Sequence, residues 1–143
     1  MAYFLDSSGF VKLFVRESGT DKIVSLYEAS RLNFVSDLAA IEVRSAIRRR
    51  EFEGDLTFED AEKALRLLGS ELRRTRQVEI SMVPISSIEG IIDRHRLRAL
   101  DAIQLASALL ATVDEPGLEF VSADVRLLRA AQAEGLSILD PST

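Results

Sequence analysis

The hydrophobic positions of the chain fall into short uninterrupted runs that alternate with longer stretches of helical spacing. Residues 3–5 form the first run, and three apolar or aromatic side chains without alternation predict a strand covered on both faces. Further strands are predicted at residues 33–35, 78–83, 118–121 and 136–139. Helices are predicted at residues 10–15, 20–30, 38–52, 57–77, 85–93, 99–113 and 124–134.

This order of elements predicts the α/β class. Strands that alternate with helices favour a parallel sheet covered on both faces, so we expect a three-layer α/β/α fold around a central parallel sheet of four to five short strands. The helices at 38–52 and 57–77 are expected to form a protruding helical hairpin. Since no repeat, low-complexity segment or linker divides the chain, residues 1–143 are expected to form a single domain.

Composition limits the chemistry that this fold can carry. With no cysteine and a single histidine, the chain lacks disulfides, thiolate zinc sites and cysteine nucleophiles, and a metal site built mainly from oxygen ligands favours magnesium or manganese. The net charge of −5 argues mildly against a protein that coats nucleic acid indiscriminately. No apolar run reaches membrane-spanning length and no export signal opens the chain, so we expect a soluble cytoplasmic protein with no membrane partner.

Four carboxylates stand where the predicted sheet would bring them together. Asp6 directly follows the first strand, Asp124 follows a later one, and Glu42 lies early in the helix after the second strand. Asp101 is the only formal charge in the most apolar helix, where a buried unpaired carboxylate needs a cation or several donors. The carboxyl ends of parallel strands share one edge, and like charges that close repel unless a divalent cation lies among them. The pattern predicts a magnesium or manganese site suited to phosphate substrates.

Each acid also has an ordinary structural explanation. Asp6 and Asp124 can cap the turn or helix that follows them. Glu42 can be exposed, or it can form an ion pair with Arg44 or Arg98. Asp101 can belong to a solvent-facing polar stripe with Gln104 and Ser107. The residues themselves leave these explanations open. The expected convergence of four acids on one edge of the sheet makes the ordinary explanations less favoured when the four are considered together.

Five segments in fixed order carry a family pattern: YFLDSS at residues 3–8, VKLF at 11–14, AIEV at 40–43, LRALDAIQLA at 97–106 and FVSAD at 120–124. This order resembles the PIN-domain nucleases, and in particular the VapC-like toxins of bacterial toxin–antitoxin pairs. The resemblance spans essentially the whole chain, and it implies the PIN fold and a metal-dependent endoribonuclease that hydrolyses RNA phosphodiester bonds.

The resemblance also implies roles for individual residues. The acidic quartet that holds Mg2+ or Mn2+, directly or through water, would be Asp6, Glu42, Asp101 and Asp124. Ser8 would orient Asp6 or a bound water, and Ser122 would support the site by hydrogen bonding.

RNA binding requires cations near these acids. The candidate contacts are Arg94, Arg96 and Arg98, which precede Asp101, and Arg44 and Arg48, which continue the helix of Glu42. The alternative is a solvated surface on which the helix arginines pair with Glu51, Glu53 and the acids of the next helix. His95 is left without an assigned role.

The resemblance implies two protein partners. PIN toxins form homodimers and are held inactive by a cognate antitoxin, whose C-terminal segment fills a hydrophobic groove; exposed apolar residues of the second helix or of the hairpin at 38–68 are candidate surfaces. The main alternative function is a noncatalytic PIN-fold module that binds RNA or protein. A phosphatase is disfavoured, since Ser8 stands where the phosphatase motif has a second acid. A receiver domain is disfavoured, since no acidic pair precedes Asp6 and no lysine follows the predicted strand at residues 78–83.

Overall fold

The computed structural model describes all residues from 1 to 143. Five strands form one sheet in the order β3-β2-β1-β4-β5, and every pair is parallel. The strands are β1 (Ala2–Leu5), β2 (Leu32–Ser36), β3 (Arg76–Val78), β4 (Glu119–Val121) and β5 (Ser137–Leu139). The predicted α/β class, parallel sheet and number of strands are therefore confirmed.

Seven helices connect the strands. They are α1 (Ser7–Phe10), α2 (Thr20–Ala29), α3 (Leu38–Phe52), α4 (Phe58–Arg74), α5 (Ile85–His95), α6 (Ala99–Ala111) and α7 (Val125–Ala133). As expected, α3 and α4 pack against each other as a hairpin, and the far end of α3 projects so that Phe52 is 95% exposed. No helix combines the length and the apolar character that crossing a membrane would require.

The sheet separates two hydrophobic cores, as the unbroken apolar strands predict. On one face, Phe4 packs beneath α5, α6 and α7, and its ring stacks on that of Phe120 with centroids 5.8 Å apart. On the other face, Leu5 and Val121 pack with the helices α1 to α4. Adjacent residues of one strand thus belong to opposite cores, because side chains alternate across a pleated strand.

The strand order reverses between β1 and β4. From β1 the chain moves to β2 and β3 on one side, and then crosses over to β4 and β5 on the other. In open α/β sheets, ligands bind in the crevice outside the carboxyl ends of the strands at such a reversal point. Asp6 and Ser122 directly follow the two strands that flank it, so the fold places both at the expected crevice.

The predicted strand at residues 78–83 is wrong. The strand is shorter and earlier, Arg76–Val78, and a turn of 3-10 helix follows at Ile80–Met82. β3 has β2 as its single neighbour, and the Asp37 carboxylate, at the end of β2, accepts a hydrogen bond from the Ile80 backbone N–H at 3.3 Å. This contact turns the chain out of the sheet despite its alternating side chains.

Two predicted helices also differ in extent. The helix expected over 57–77 ends at Arg74, because Arg76 pairs with Phe34 in the sheet and sheet pairing overrides the helical pattern. The segment expected as a helix over 10–15 is the short α1 followed by 3-10 helix at Val11–Leu13. A close approach explains why α1 contains Gly9: an added Cβ would lie 3.2 Å from the Val121 carbonyl oxygen of β4.

Candidate active site

Asp6 is a buried carboxylate at the carboxyl end of the central strand. Its Oδ1 accepts hydrogen bonds from the Ser8 hydroxyl at 2.7 Å and the Gly9 backbone N–H at 2.8 Å. Its Oδ2 accepts one from the Ser122 hydroxyl at 2.6 Å. Asp6 therefore caps α1, in line with its ordinary structural explanation, and it also joins β1 to the segment after β4.

Ser8 and Ser122 hold the two sides of the crevice together. The Ser8 hydroxyl accepts a hydrogen bond from the backbone N–H of Ala123 at 3.0 Å, and the Ser122 hydroxyl accepts one from the N–H of Asp124 at 3.0 Å. Because each hydroxyl also donates to Asp6, the loop that carries Asp124 has a fixed position relative to β1.

Asp124 caps α7. Its Oδ1 accepts hydrogen bonds from the backbone N–H groups of Arg126 at 2.9 Å and Leu127 at 3.3 Å. Its Oδ2 accepts no hydrogen bond within the chain. One oxygen thus has the ordinary capping role, while Asp124 also lines the cavity that contains Asp101.

Glu42 is held by neutral donors rather than by a cation. Its Oε1 accepts hydrogen bonds from the Ser7 hydroxyl at 2.8 Å and the Gln104 side-chain amide at 2.8 Å. The same amide nitrogen donates to the Ser7 hydroxyl at 2.9 Å. Glu42 is half-buried and forms no ion pair with Arg44 or Arg98, so neither ordinary explanation for it is correct.

Asp101 lies in the first turn of α6 and accepts no hydrogen bond from the chain. It lines a cavity of about 250 Å³ together with Arg96, Leu97, Arg98, Asp124 and Arg126. The explanation that placed Asp101 in a solvent-facing stripe is wrong, because the other two members, Gln104 and Ser107, are buried. The unsatisfied carboxylate instead faces a crevice.

The four carboxylates influence one another electrostatically. Burial raises the pKa of Asp6 to about 6, against the lowering effect of its three hydrogen bonds, and the nearby charge of Asp101 adds to the rise. Burial also raises the pKa of Asp101, and the charges of Asp124 and Glu42 raise it further, while Arg98 and Arg126 lower it. The charges of Asp124 and Glu42 thus act on Asp101, and the charge of Asp101 acts on Asp6, so Asp101 is the acid that interacts with the other three.

The donor set suits a hard divalent cation that keeps part of its water shell. Every candidate ligand is a carboxylate oxygen, and those of Asp101 accept no hydrogen bond. No group of three or more acidic or histidine side chains is already arranged to hold a metal ion. Mg2+ typically binds through one or two carboxylates plus water and substrate phosphate, so the residues present fit such an ion.

The candidate RNA contacts divide into paired and unpaired arginines. Arg48 donates to Glu51 and Glu62, each at 2.8 Å, which matches the expectation of an ion-paired surface, whereas Arg44 is exposed and forms no ion pair. Arg94 binds both carboxylate oxygens of Glu134, at 3.0 and 2.8 Å.

Next to the acids, Arg96 and Arg98 are exposed, form no ion pair and line the Asp101 cavity. His95 contacts Glu134 at 2.7 Å, a contact that joins α5 to the end of α7.

Sequence reasoning missed three residues of the site. Ser7 and Gln104 fix Glu42, and Arg126 lines the Asp101 cavity. Gln104 carries a detectable signal: it is the one amide in an otherwise apolar stretch of α6, one turn after Asp101. Its Oε1 is buried without a partner, but the opposite amide orientation would direct that acceptor at the Glu42 carboxylate.

Comparisons with known proteins agree with this geometry. A family model of the PIN domain matches residues 3–133. Ribonuclease VapC45 of Mycobacterium tuberculosis is 34% identical over 145 aligned positions, which cover 99% of this chain and 99% of that protein. Ribonuclease VapC35 of the same species is 33% identical over 140 positions, with 96% of each chain covered.

A solved toxin–antitoxin complex from Klebsiella pneumoniae superposes with a TM-score of 0.66 at 16% identity and covers 97% of both chains. The chain belongs to the PIN-domain family and, within it, to the VapC-like proteins. The resemblance inferred from the five sequence segments is thereby confirmed.

Replacement of Asp6 by asparagine is expected to stabilise the metal-free protein, and more so at neutral than at acidic pH. Because the folded pKa of about 6 exceeds the ordinary value of 3.8, ionisation destabilises the wild-type fold as pH rises through this window. The stability advantage of Asp6→Asn should grow by ~2 kcal/mol between pH 4 and pH 7. Urea denaturation in EDTA measures it, with the exposed Asp55→Asn as control. An advantage independent of pH would contradict the burial argument.

Replacement of Gln104 by glutamate is expected to destabilise the fold at pH 7 by roughly 3 kcal/mol, because a second carboxylate would face Glu42 where the amide now donates at 2.8 Å. Acidification should recover part of this stability by protonating one of the pair. The matched control is Gln132→Glu on the exposed side of α7, which should change the free energy of unfolding by less than about 0.5 kcal/mol. Equal effects of the two variants would show that the hydrogen bond between Gln104 and Glu42 does not contribute to the free energy of unfolding.

Proposed function

We propose that this protein is an Mg2+- or Mn2+-dependent endoribonuclease and the toxin of a toxin–antitoxin pair. The observation that carries the proposal is the cavity that Asp101 and Asp124 line beside Arg96 and Arg98, with Glu42 and Asp6 close enough for their charges to interact with that of Asp101. Relatives named as ribonucleases VapC over the full length of the chain supply the reaction class. A carboxylate-lined site beside arginines suits a phosphodiester substrate.

The chain's own residues have separable roles in this proposal. Asp6 and Glu42 are rigid, because hydrogen bonds from Ser8, Ser122, Ser7 and Gln104 fix their orientation. Asp101 and the free oxygen of Asp124 are available to a ligand. Arg96 and Arg98 face the same cavity and can bind the charged phosphate oxygens.

The four acids would hold the divalent cation, directly or through water. When bound, this cation supplies positive charge that lowers the pKa of water and offsets negative charge developing at phosphorus. Without it, four like charges would repel the phosphate group that the arginines attract. Burial raises the pKa of Asp101, and the charges of Asp124 and Glu42 raise it further, as this repulsion requires.

The nuclease proposal is tested by cleavage of a mixed structured RNA pool with magnesium, manganese or EDTA. Wild-type protein should cleave in either metal and not in EDTA, and Asp101→Asn should lower the rate by at least about 100-fold. Asp93→Asn, an exposed change on α5, is the matched control, with folding checked by circular dichroism. Wild-type protein that neither cleaves RNA nor binds metal by calorimetry would instead support the noncatalytic RNA- or protein-binding module.

We further propose an antitoxin partner that covers the groove between α2 and α4. Leu13, Val24, Tyr27 and Leu67 line this groove, and Leu67 is 44% exposed although it is apolar. The Tyr27 hydroxyl donates to Glu71 at 2.8 Å on the groove wall, which provides a polar feature for recognition. A peptide segment with apolar anchors fits such a surface.

A homodimer, the second proposed assembly, is tested by light scattering of the free protein.

The proposed antitoxin is the product of a small open reading frame directly upstream. Its coexpression should suppress RNA cleavage and yield a copurified complex. Leu67→Glu should weaken this complex at least about tenfold, because it places a charge in the apolar groove. Val113→Glu, at an exposed apolar position in the turn after α6, should bind as wild type does. Equal binding by both variants would assign the antitoxin to another surface.

A further inference from the structure

Four arginines lie along one continuous groove beside the acidic crevice. Arg96 and Arg98 come from the loop between α5 and α6, and Arg126 and Arg129 come from α7. We refer to these four residues as the arginine groove. Arg126 lines the Asp101 cavity without pairing with an acid, and Arg129 lies outside that cavity, so the acidic site does not explain why both side chains are arginines.

The continuity of the groove follows from two adjoining cavities. The first, which contains Asp101 and Asp124, is lined by Arg96, Arg98 and Arg126 and has a volume of about 250 Å³. The second, also about 250 Å³, is lined by His95, Leu97, Arg126, Arg129 and Ala130. Because Leu97 and Arg126 line both cavities, a path leads from the acids past Arg126 to Arg129.

The charges of the groove are available to a ligand. None of its four arginines forms an ion pair with an acid of the chain, and all four are exposed. Unpaired arginines also occur elsewhere on the surface, but here four converge on two joined cavities. Glu134, at the far end, is already engaged by Arg94 and His95. The four unpaired arginines therefore outnumber the two acids, Asp101 and Asp124, that line the same cavities, in a chain whose net charge is −5.

The backbone conformation of Arg96 is an independent indication that the groove binds a ligand. Arg96 has a φ of 54° and is the only residue other than glycine with positive φ in the structure. Glycine adopts this left-handed conformation at the end of a helix with less strain, so the turn itself does not call for an arginine. The presence of an arginine at this position is better explained by the binding of an anionic ligand in the adjoining cavity.

We propose that the arginine groove binds the phosphate backbone of the RNA strand next to the cleavage position. Arg96 and Arg98 lie at the phosphate that is cleaved, and Arg126 and Arg129 bind a neighbouring phosphate of the same strand. Guanidinium groups suit phosphate oxygens, and phosphate contacts fix the register of a strand without reading its bases. This inference rests on the proposed ribonuclease function and assigns that function two further residues.

RNA binding without cleavage tests the groove directly. The probe is a fluorescein-labelled 20-nucleotide oligouridylate, measured by fluorescence anisotropy in EDTA from 25 to 200 mM salt. Arg126→Ala/Arg129→Ala should bind about tenfold more weakly than wild type at low salt, and the slope of log affinity against log salt should fall by about 1.4, or about 0.7 for each phosphate that the variant no longer neutralises. The matched control is Arg66→Ala/Arg73→Ala, which removes two exposed, unpaired arginines from α4 in the other helix layer.

A cleavage assay distinguishes the failure of this inference from the failure of the proposed nuclease function. In magnesium, Arg129→Ala should raise KM several-fold on the 20-nucleotide RNA and leave kcat nearly unchanged, and RNAs too short to reach Arg129 should show no difference. If the groove variant binds RNA more weakly than wild type, the inference is supported even where wild-type protein does not cleave RNA. The absence of cleavage would then count only against the proposed nuclease function. Groove and control variants with equal affinity and equal salt slope would overturn the inference.

Discussion

The burial of the Asp6 carboxylate at the reversal point of the sheet constrains everything around it. A carboxylate removed from water needs hydrogen-bond donors, and Asp6 obtains them from α1 and from the segment after β4. These hydrogen-bond donors do not fully compensate for burial, since the pKa of Asp6 still lies near 6. The structure thus retains an acid that is unfavourable for folding alone, which is typical of a group kept for its chemistry.

The two helix layers contribute different parts of the site. The layer of α1 to α4 carries Glu42 and the apolar groove between α2 and α4, whereas the layer of α5 to α7 carries Asp101 and the arginine groove. Gln104 is the contact that joins them, because it extends from α6 to Glu42 on α3. The surfaces proposed for partner binding and for strand binding therefore lie in different helix layers.

The sequence alone predicted the class of fold, the parallel sheet and most helices, since these follow from local hydrophobic patterns. It also singled out four acids as candidates, because each follows a predicted strand or lies in an apolar helix, a pattern that can be recognised in the sequence. It failed at residues 78–83, where a contact from Asp37 ends the strand. It also misread Gln104, because the partners of that amide lie 62 and 97 residues away along the chain. Local patterns do not encode such contacts.

The bond between Ser122 and Asp6 spans 116 residues of sequence. Closing a loop of that length costs about 4 kcal/mol of chain entropy, which the pairing of β4 with β1 must offset. A growing polypeptide that lacks residues 119–143 has neither β4 nor Asp124, so Asp6 lacks the hydrogen bond from Ser122. Translation must therefore pass Asp124 before the site can form, and ribosome-bound chains shorter than this lack part of it.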